Sequence, residues 1–131
     1  MSYGPCVSDV RRVVTAYWAA AETRDWEAFG ALLADNVVYV LPQSRERVRG
    51  REEYVRFNSE GFPGEWHMVV EQIVPGEREA VSLIRFTDAN GAQPGISFFE
   101  LDQDGLIARI TDFWPEPYEP PAGRARLVER F

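Results

Sequence analysis

One carboxylate stands inside an apolar stretch near the end of this chain. The segment "ARITDFWPEPYEPP", residues 108–121, predicts a strand that runs into a proline-rich tail, and Asp112 lies just before Phe113 and Trp114. Burying an unpaired charge costs free energy, so Asp112 is paired, or lies at a water-filled edge, or serves chemistry. In an apolar pocket, desolvation would raise the pKa of its carboxyl toward the range of a general acid or base. The structural alternative is a carboxylate that bonds to backbone or arginine at the pocket mouth.

His67, the one histidine of the chain, is the second candidate for proton transfer. Its imidazole can relay a proton or polarise a carbonyl, because it titrates near neutral pH. The competing interpretation is a half-exposed structural histidine, since His67 follows Trp66 at the start of a predicted strand. Glu71 falls on the same predicted strand face and is a candidate ligand contact, or an ion-pair partner of Arg85. The predicted catalytic residues are therefore Asp112 and His67.

Aromatic side chains recur at helix and strand spacing and suit a pocket for a flat, apolar ligand. The alternative for each is an ordinary core position. Tyr17 and Tyr39 stand out because a phenol can donate a hydrogen bond inside a pocket. The candidate ligand-binding residues are Tyr17, Trp18, Tyr39, Phe57, Glu71, Ser82, Phe99 and Trp114.

The composition narrows the classes of function. The 131 residues carry a net charge of -7, and the 14 basic residues are all arginine. The acidic balance argues against nucleic acid or an anionic membrane as a partner, and the absence of lysine excludes Schiff-base catalysis and the Walker phosphate loop. One cysteine, Cys6, and one histidine leave no zinc site within one chain, so we expect no cofactor and no metal. No apolar run approaches the roughly 20 residues of a membrane span, and a cytoplasmic protein is expected.

The apolar pattern predicts helices followed by strands. Helical spacing follows Ser8 and Asp9 as helix start, a second helix follows Asp25 as its cap, and "REEYVRFN" predicts a third. "VVYVLP" predicts a strand, "QSRERVRG" a loop, and "WHMVVEQIV", "EAVSLIRFT", "GISFFEL" and "LIARITDFW" predict an antiparallel meander. The class is α+β, with three N-terminal helices against a curved, mostly antiparallel sheet. Residues 1–131 are predicted as one domain, with a core at about 8–114 and a proline-rich arm at 115–131.

Counting across the turns predicts which side chains share a face, because side chains alternate along a strand. Across "DQDG", Asp112 lies opposite Gly95 and on one face with Ser97 and Phe99. Across "PGER", the second shared face comprises His67, Val69, Glu71, Ile73, Ala80, Ser82, Ile84 and Phe86. A one-residue slip would invert either assignment. Both faces are substantially apolar, so we expect the helices to cover one and a second subunit to cover the other.

The chain resembles the SnoaL-like proteins of the nuclear transport factor 2-like superfamily. The resemblance rests on "YWAAAETRDWEAFGALLADNVVYVLP", "RGREEYVRF" and "FELDQDGLIARITDFW", and it covers nearly the whole chain. It implies a cone-shaped barrel with an internal apolar pocket, and homodimers through the outer sheet face. It also implies a pocket carboxylate on the last strand, where Asp112 lies, and ketosteroid isomerase with its Asp base belongs to this superfamily. The fold alone leaves the activity open, since it hosts isomerases, cyclases, hydrolases, dehydratases and binding proteins.

Two functional hypotheses follow. The first is a cofactor-independent enzyme of isomerase, cyclase or dehydratase type, acting on a small apolar carbonyl compound such as a polyketide or steroid-like ring. The second is a non-catalytic ligand-binding or accessory protein with the same pocket. The arm carries Tyr118, Leu127 and Phe131, which are costly to leave in water. We therefore predict an ordered arm that crosses the outer sheet face or a neighbouring subunit and enlarges a homodimer interface.

Overall fold

The computed structural model describes residues 6–131, and within that range helices precede most of the strands. The helices are α1 (Val7–Thr23), α2 (Trp26–Ala31) and α3 (Arg51–Glu60). The strands are β1 (Leu33–Leu41), β2 (Glu46–Arg49), β3 (His67–Pro75), β4 (Glu79–Asp88), β5 (Gly91–Leu101) and β6 (Ile107–Phe113). A short 3-10 helix, Ala122–Leu127, lies in the C-terminal arm. None of the helices within residues 6–131 is long and apolar enough to cross a membrane.

The strands form one curved sheet in the order β2-β1-β6-β5-β4-β3. Neighbouring strands are antiparallel, except that β1 runs parallel to β6. The two edge strands do not pair with each other, so the sheet wraps around the helices without closing. The predicted α+β class is confirmed, with N-terminal helices against a curved, mostly antiparallel sheet.

Helix α1 presents two aromatic side chains to the interior. It begins at Val7, and Cys6 rather than the predicted Ser8 occupies the N-cap. The helix packs against β3 and β4, so a side chain on its buried face points at the concave side of the sheet. Tyr17 and Trp18 lie on that face. The full set of buried α1 residues, at the predicted helical spacing, is Val10, Val14, Tyr17, Trp18, Ala20 and Ala21.

Strand β2 lies in the segment for which the sequence predicts a loop. It pairs antiparallel with β1, from Arg49 opposite Val38 to Glu46 opposite Leu41. As the edge strand it exposes one side to solvent, and charged side chains are common there. The arginines that indicated a loop are therefore compatible with a strand, and that prediction is wrong.

The pairing of β5 with β6 sets the position of Asp112. Ser97, not the predicted Gly95, lies opposite Asp112. The connection is one residue longer than predicted, since Leu101 lies opposite Ile107, and a bulge between Glu100 and Leu101 adds a second residue. In the connection, the Asp102 carboxylate accepts the N–H groups of Asp104 and Leu106 at 2.9 and 3.0 Å. Beyond the bulge the predicted register is thus shifted by two residues. A shift of two keeps the side chains there on their predicted face, so Asp112 still points inward with Ser97.

The β3 side chains that point inward change parity in the middle of the strand. Before Glu71 the inward residue Met68 lies opposite Phe86, and after it Ile73 lies opposite Ser82, because a bulge between Val70 and Gln72 adds one residue to β3. A bulge places two residues opposite one and so reverses the alternation. The predicted shared face is therefore wrong: His67 and Val69, before the bulge, lie on the opposite face from Ile73 and Ser82, and Glu71 within the bulge is exposed.

The convex face of the sheet and the arm expose apolar side chains in the single chain. On the sheet these are Val69 and Phe98, which are 55% and 46% exposed. In the arm, Tyr118, Leu127 and Phe131 are exposed. The arm does not bury these three against its own subunit, so its predicted contact with a neighbouring subunit stays a prediction.

Candidate functional site

The site is centred on the carboxyl of Asp112, which is 4% exposed at the concave side of the sheet. Strand β1 runs beside β6 and brings the Tyr39 hydroxyl to it, so that this hydroxyl donates to Asp112 Oδ2 at 2.5 Å. Asp112 Oδ1 is buried and has no hydrogen-bond partner in the described part of the chain. Buried polar atoms are nearly always hydrogen-bonded. An orphaned carboxylate oxygen on a cavity wall is therefore available to a ligand.

Burial raises the pKa of Asp112 from 3.8 to about 6. The cause is desolvation, which penalises the ionised form, and the facing hydroxyls of Ser97 and Tyr39 oppose part of the rise. Near pH 6 the carboxyl exists in both protonation states in comparable amounts. It can therefore take up or release a proton under ordinary conditions, as a general acid or base must.

Two further phenols lie close to this carboxyl. The hydroxyls of Tyr17 and Tyr54 are hydrogen-bonded to each other, and both side chains are buried. Burial raises the pKa of both phenols well above the usual value, so they stay protonated. Two phenols sharing one hydrogen bond leave one hydroxyl hydrogen free. When Tyr54 donates to Tyr17, the Tyr17 hydrogen is available to an oxygen in the cavity.

A small cavity of about 40 Å³ lies against Asp112. This volume has room for about three water molecules. The wall is mostly apolar, and polar groups reach it from Asp112, Tyr39, Tyr17 and Asn58. The lining residues are Tyr17, Trp18, Ala21, Tyr39, Asn58, Phe62, Trp66, Met68, Ile84, Phe86, Asp112 and Trp114.

The structure brings some of the predicted ligand-binding residues to this cavity and leaves others outside it. Tyr17, Trp18, Tyr39 and Trp114 line it together with Asp112. The remaining predicted residues lie behind the wall, beside it or on the surface; they are Ser82, Phe99, Phe57 and Glu71.

Ser82 and Phe99 support the wall without lining it. The Trp18 indole N–H donates to Ser82 Oγ at 2.9 Å, and this bond fixes the orientation of Trp18. The Phe99 ring packs edge-on against Tyr17 at 5.1 Å. Phe57 lines a neighbouring groove rather than the cavity.

His67 lies outside the cavity, on the convex side of the sheet. Its side chain is 58% exposed, and Nδ1 and Nε2 each lie 3.1 Å from a carboxylate oxygen, of Glu22 and Glu65 respectively. The carboxylate of Glu65, then that of Glu22, raises the pKa of His67. Glu22 also accepts the Met68 N–H at 3.1 Å. This geometry ties the end of α1 to the start of β3 and places no proton relay next to Asp112.

Residues that the sequence analysis did not select complete the wall. Met68 reaches it because of the bulge in β3, which no local pattern signals, and Phe86 reaches it from the opposite position on β4. Phe62 lies in the connection after α3, and Asn58 lies on α3 one turn after Tyr54. Among residues 6–131 no three His, Cys, Asp or Glu side chains converge as a metal site would require.

A family model and several solved structures are similar to this chain. A family model described as a SnoaL-like domain matches residues 14–110. A ketosteroid isomerase-like protein from Kribbella flavida DSM 17836 is 42% identical, with a TM-score of 0.91 over 95% of this chain and 91% of that chain. A nuclear transport factor 2-like protein of unknown function from Burkholderia xenovorans LB400 is 22% identical, with a TM-score of 0.79 over 95% of this chain and 96% of that one. The second likeness shows the fold alone.

No curated protein matches the sequence. The family model nevertheless spans more than half of the chain, and the Kribbella flavida protein aligns with nearly all of it. The chain therefore belongs to the SnoaL-like family.

Proposed function

We propose that this protein is a cofactor-independent acid/base enzyme that moves a proton next to the carbonyl group of a small apolar compound. One observation carries the proposal: Asp112 lines an apolar cavity, and its buried Oδ1 has no hydrogen-bond partner in the described chain. The pKa of about 6 suits a group that accepts and returns a proton. The likeness to a ketosteroid isomerase-like protein supports an isomerase-type reaction.

The chemistry is a proton transfer within one substrate. Asp112 Oδ1 takes a proton from the carbon next to the carbonyl, and the C–H electron pair forms a carbon–carbon double bond. The carbonyl oxygen becomes an enolate, and Tyr17 stabilises its charge by a hydrogen bond when Tyr54 donates to Tyr17 and leaves the Tyr17 hydrogen free. The Asp112 carboxylic acid then returns the proton to another carbon of the same skeleton. Atoms and electrons balance without an added reactant.

The roles of the polar groups follow from their number. Ketosteroid isomerase uses one carboxyl as base and a second, protonated carboxyl beside a tyrosine as hydrogen-bond donor. Among residues 6–131 a single carboxyl lines the cavity, so it serves as base, and a tyrosine hydroxyl serves as donor. Tyr39 is committed to Asp112 Oδ2, which leaves Tyr17 as the donor to substrate.

The test is the isomerisation of cyclohex-3-enone to its conjugated isomer, followed by ultraviolet absorbance. Asp112→Asn should lower the rate at least about 100-fold, the lower range for a lost general base, while circular dichroism shows an intact fold. Glu71→Gln removes an exposed carboxylate from β3 and should leave the rate unchanged. An Asp112→Asn protein as active as the parent would refute the proposal and favour a ligand-binding protein with the same cavity.

We also propose a homodimer through the convex sheet face. The exposed Val69 and Phe98 give this face an apolar surface, and covering such a surface lowers the free energy of the assembly. The same argument applies to the exposed apolar residues of the arm. Sedimentation equilibrium would show a monomer if the proposal is wrong.

A further inference from the structure

A groove lies directly outside the cavity that holds Asp112. Its volume is about 510 Å³, against about 40 Å³ for the cavity. The two spaces share three wall residues, Tyr39, Phe62 and Trp114. Ligand sites in proteins enclose about 300 to 1,000 Å³, a range that the groove meets and the cavity does not. A substrate larger than a few atoms must therefore occupy both.

Trp114 is one of the three residues that line both spaces. Its ring lies against Gly95, where a Cβ atom would stand only 2.7 Å from Trp114 Cζ3. The Phe86 ring packs edge-on against it at 5.6 Å. A side-chain hydrogen bond from Trp114 also opposes the rise in the pKa of Tyr39, so packing and this bond together hold the indole in place.

The backbone of Trp114 is fixed by Gln43. The Gln43 amide accepts the Trp114 N–H at 2.5 Å and donates to the Trp114 carbonyl at 3.2 Å. This pair of bonds continues the β1–β6 pairing beyond its last residue, and it holds Trp114 at the edge of both spaces.

The polar part of the groove carries negative charge. Glu46 and Glu116 line it together with Gln43 and Ser44, and no arginine is among the lining residues. Two carboxylates disfavour an anion and attract a cation, and they accept hydrogen bonds from a neutral amide or hydroxyl.

We propose that this groove is a second subsite, which receives the polar, non-anionic end of an elongated substrate, with Trp114 as the partition between groove and cavity. The inference rests on the proposed function, since the carbonyl end of the substrate reaches the cavity next to Asp112. The partition makes specificity depend on the length of the substrate. The two glutamates make it depend on the charge of the end group.

The test uses four naphthols as probes, with binding measured by calorimetry at pH 7 and low salt. They are 2-naphthol, 6-hydroxy-2-naphthamide, 6-(aminomethyl)-2-naphthol and 6-hydroxy-2-naphthoate, so that only the end group varies. In each, the phenol hydroxyl can donate to Asp112 Oδ1. We expect the cation and the amide to bind at least about fivefold more tightly than the carboxylate, as one charge contact at about 4 Å in water predicts, and 1 M salt to shrink the ratio.

Variants test which residues cause the discrimination between the probes. Glu46→Gln with Glu116→Gln should bring the cation and carboxylate probes to equal affinity while 2-naphthol is unaffected. The matched double variant Glu77→Gln with Asp104→Asn removes two exposed carboxylates elsewhere and should keep the discrimination. Trp114→Ala should tighten binding of the 6-substituted probes relative to 2-naphthol, and Trp114→Phe, which keeps a ring, should resemble the parent.

Two results would overturn the subsite: equal affinity of the parent for the cation and the carboxylate, or discrimination that survives the Glu46 and Glu116 changes. Failure to bind any of the probes would overturn it as well. Failure of the catalytic proposal is a separate outcome, because it would appear as turnover that the Asp112→Asn variant retains. End-group discrimination can persist in that case, and turnover can depend on Asp112 when discrimination is absent.

Discussion

Replacing Tyr39 by phenylalanine should raise the pKa of Asp112. The Tyr39 hydroxyl donates to Asp112 Oδ2 at 2.5 Å and favours the ionised carboxylate. A hydrogen bond to a charged group contributes about 1.5 to 3 kcal/mol, and one pKa unit corresponds to about 1.4 kcal/mol. The pKa of about 6 should therefore rise by about one to two units. The lower end applies if Tyr39 also bonds to the protonated carboxyl.

Carbon-13 NMR of labelled aspartate side chains measures this pKa directly. In the parent the Asp112 carboxyl should titrate near pH 6, apart from the exposed carboxyls. In Tyr39→Phe it should titrate about one to two units higher, and the acidic limb of kcat/KM against pH should move with it. Tyr118→Phe, in the exposed arm, is the control. An unchanged Asp112 titration in Tyr39→Phe would refute the assignment of this hydrogen bond to the ionised form.

Three further predictions concern stability and assembly. The folded-state pKa of about 6 lies above the value of 3.8 for an exposed carboxyl, so the unfolded chain loses its proton first as pH rises. The free energy of unfolding should then fall by about 3 kcal/mol between about pH 4 and pH 6 because of this group. Urea denaturation of the parent and of Asp112→Asn should show that fall only in the parent, and parallel pH profiles would contradict it. Gly95→Ala should cost about 1 to 3 kcal/mol by overpacking against the Trp114 indole. Gly123→Ala, where an added Cβ meets nothing within 4 Å, is the control, and equal thermal stability of the two variants would be inconsistent with the packing described. Deleting residues 117–131 should weaken dimerisation in analytical ultracentrifugation, and an unchanged dimer would leave the arm without that role.

The position of Asp112 could be predicted from the sequence even though its register was wrong. The connection between β5 and β6 and the bulge at Leu101 each shift the pairing by one residue, so that Ser97 and not Gly95 lies opposite Asp112. Two is the period of side-chain alternation in a strand. The error therefore left the carboxyl on the correct face, and the apolar neighbours in "ARITDFW" indicated its burial.

The placement of His67 could not be predicted in the same way. A single extra residue at Glu71 reverses the alternation in β3, so His67 faces outward and Met68 inward. Such a bulge depends on pairing with β4 and has no local sequence signature. The bond between Tyr17 and Tyr54 joins residues 37 positions apart. It follows from the packing of α1 and α3 inside the sheet, which a one-dimensional pattern does not contain.

The central claim is that Asp112 accepts a proton from carbon next to a carbonyl group. Proton NMR in D₂O measures this directly, as exchange of the hydrogens next to the carbonyl of cyclohexanone for deuterium. With the parent protein near neutral pH, the exchange should exceed the buffer rate, and with Asp112→Asn it should return to the buffer rate. Exchange that is equally fast with the parent and Asp112→Asn, or no faster than buffer with either, would contradict the claim.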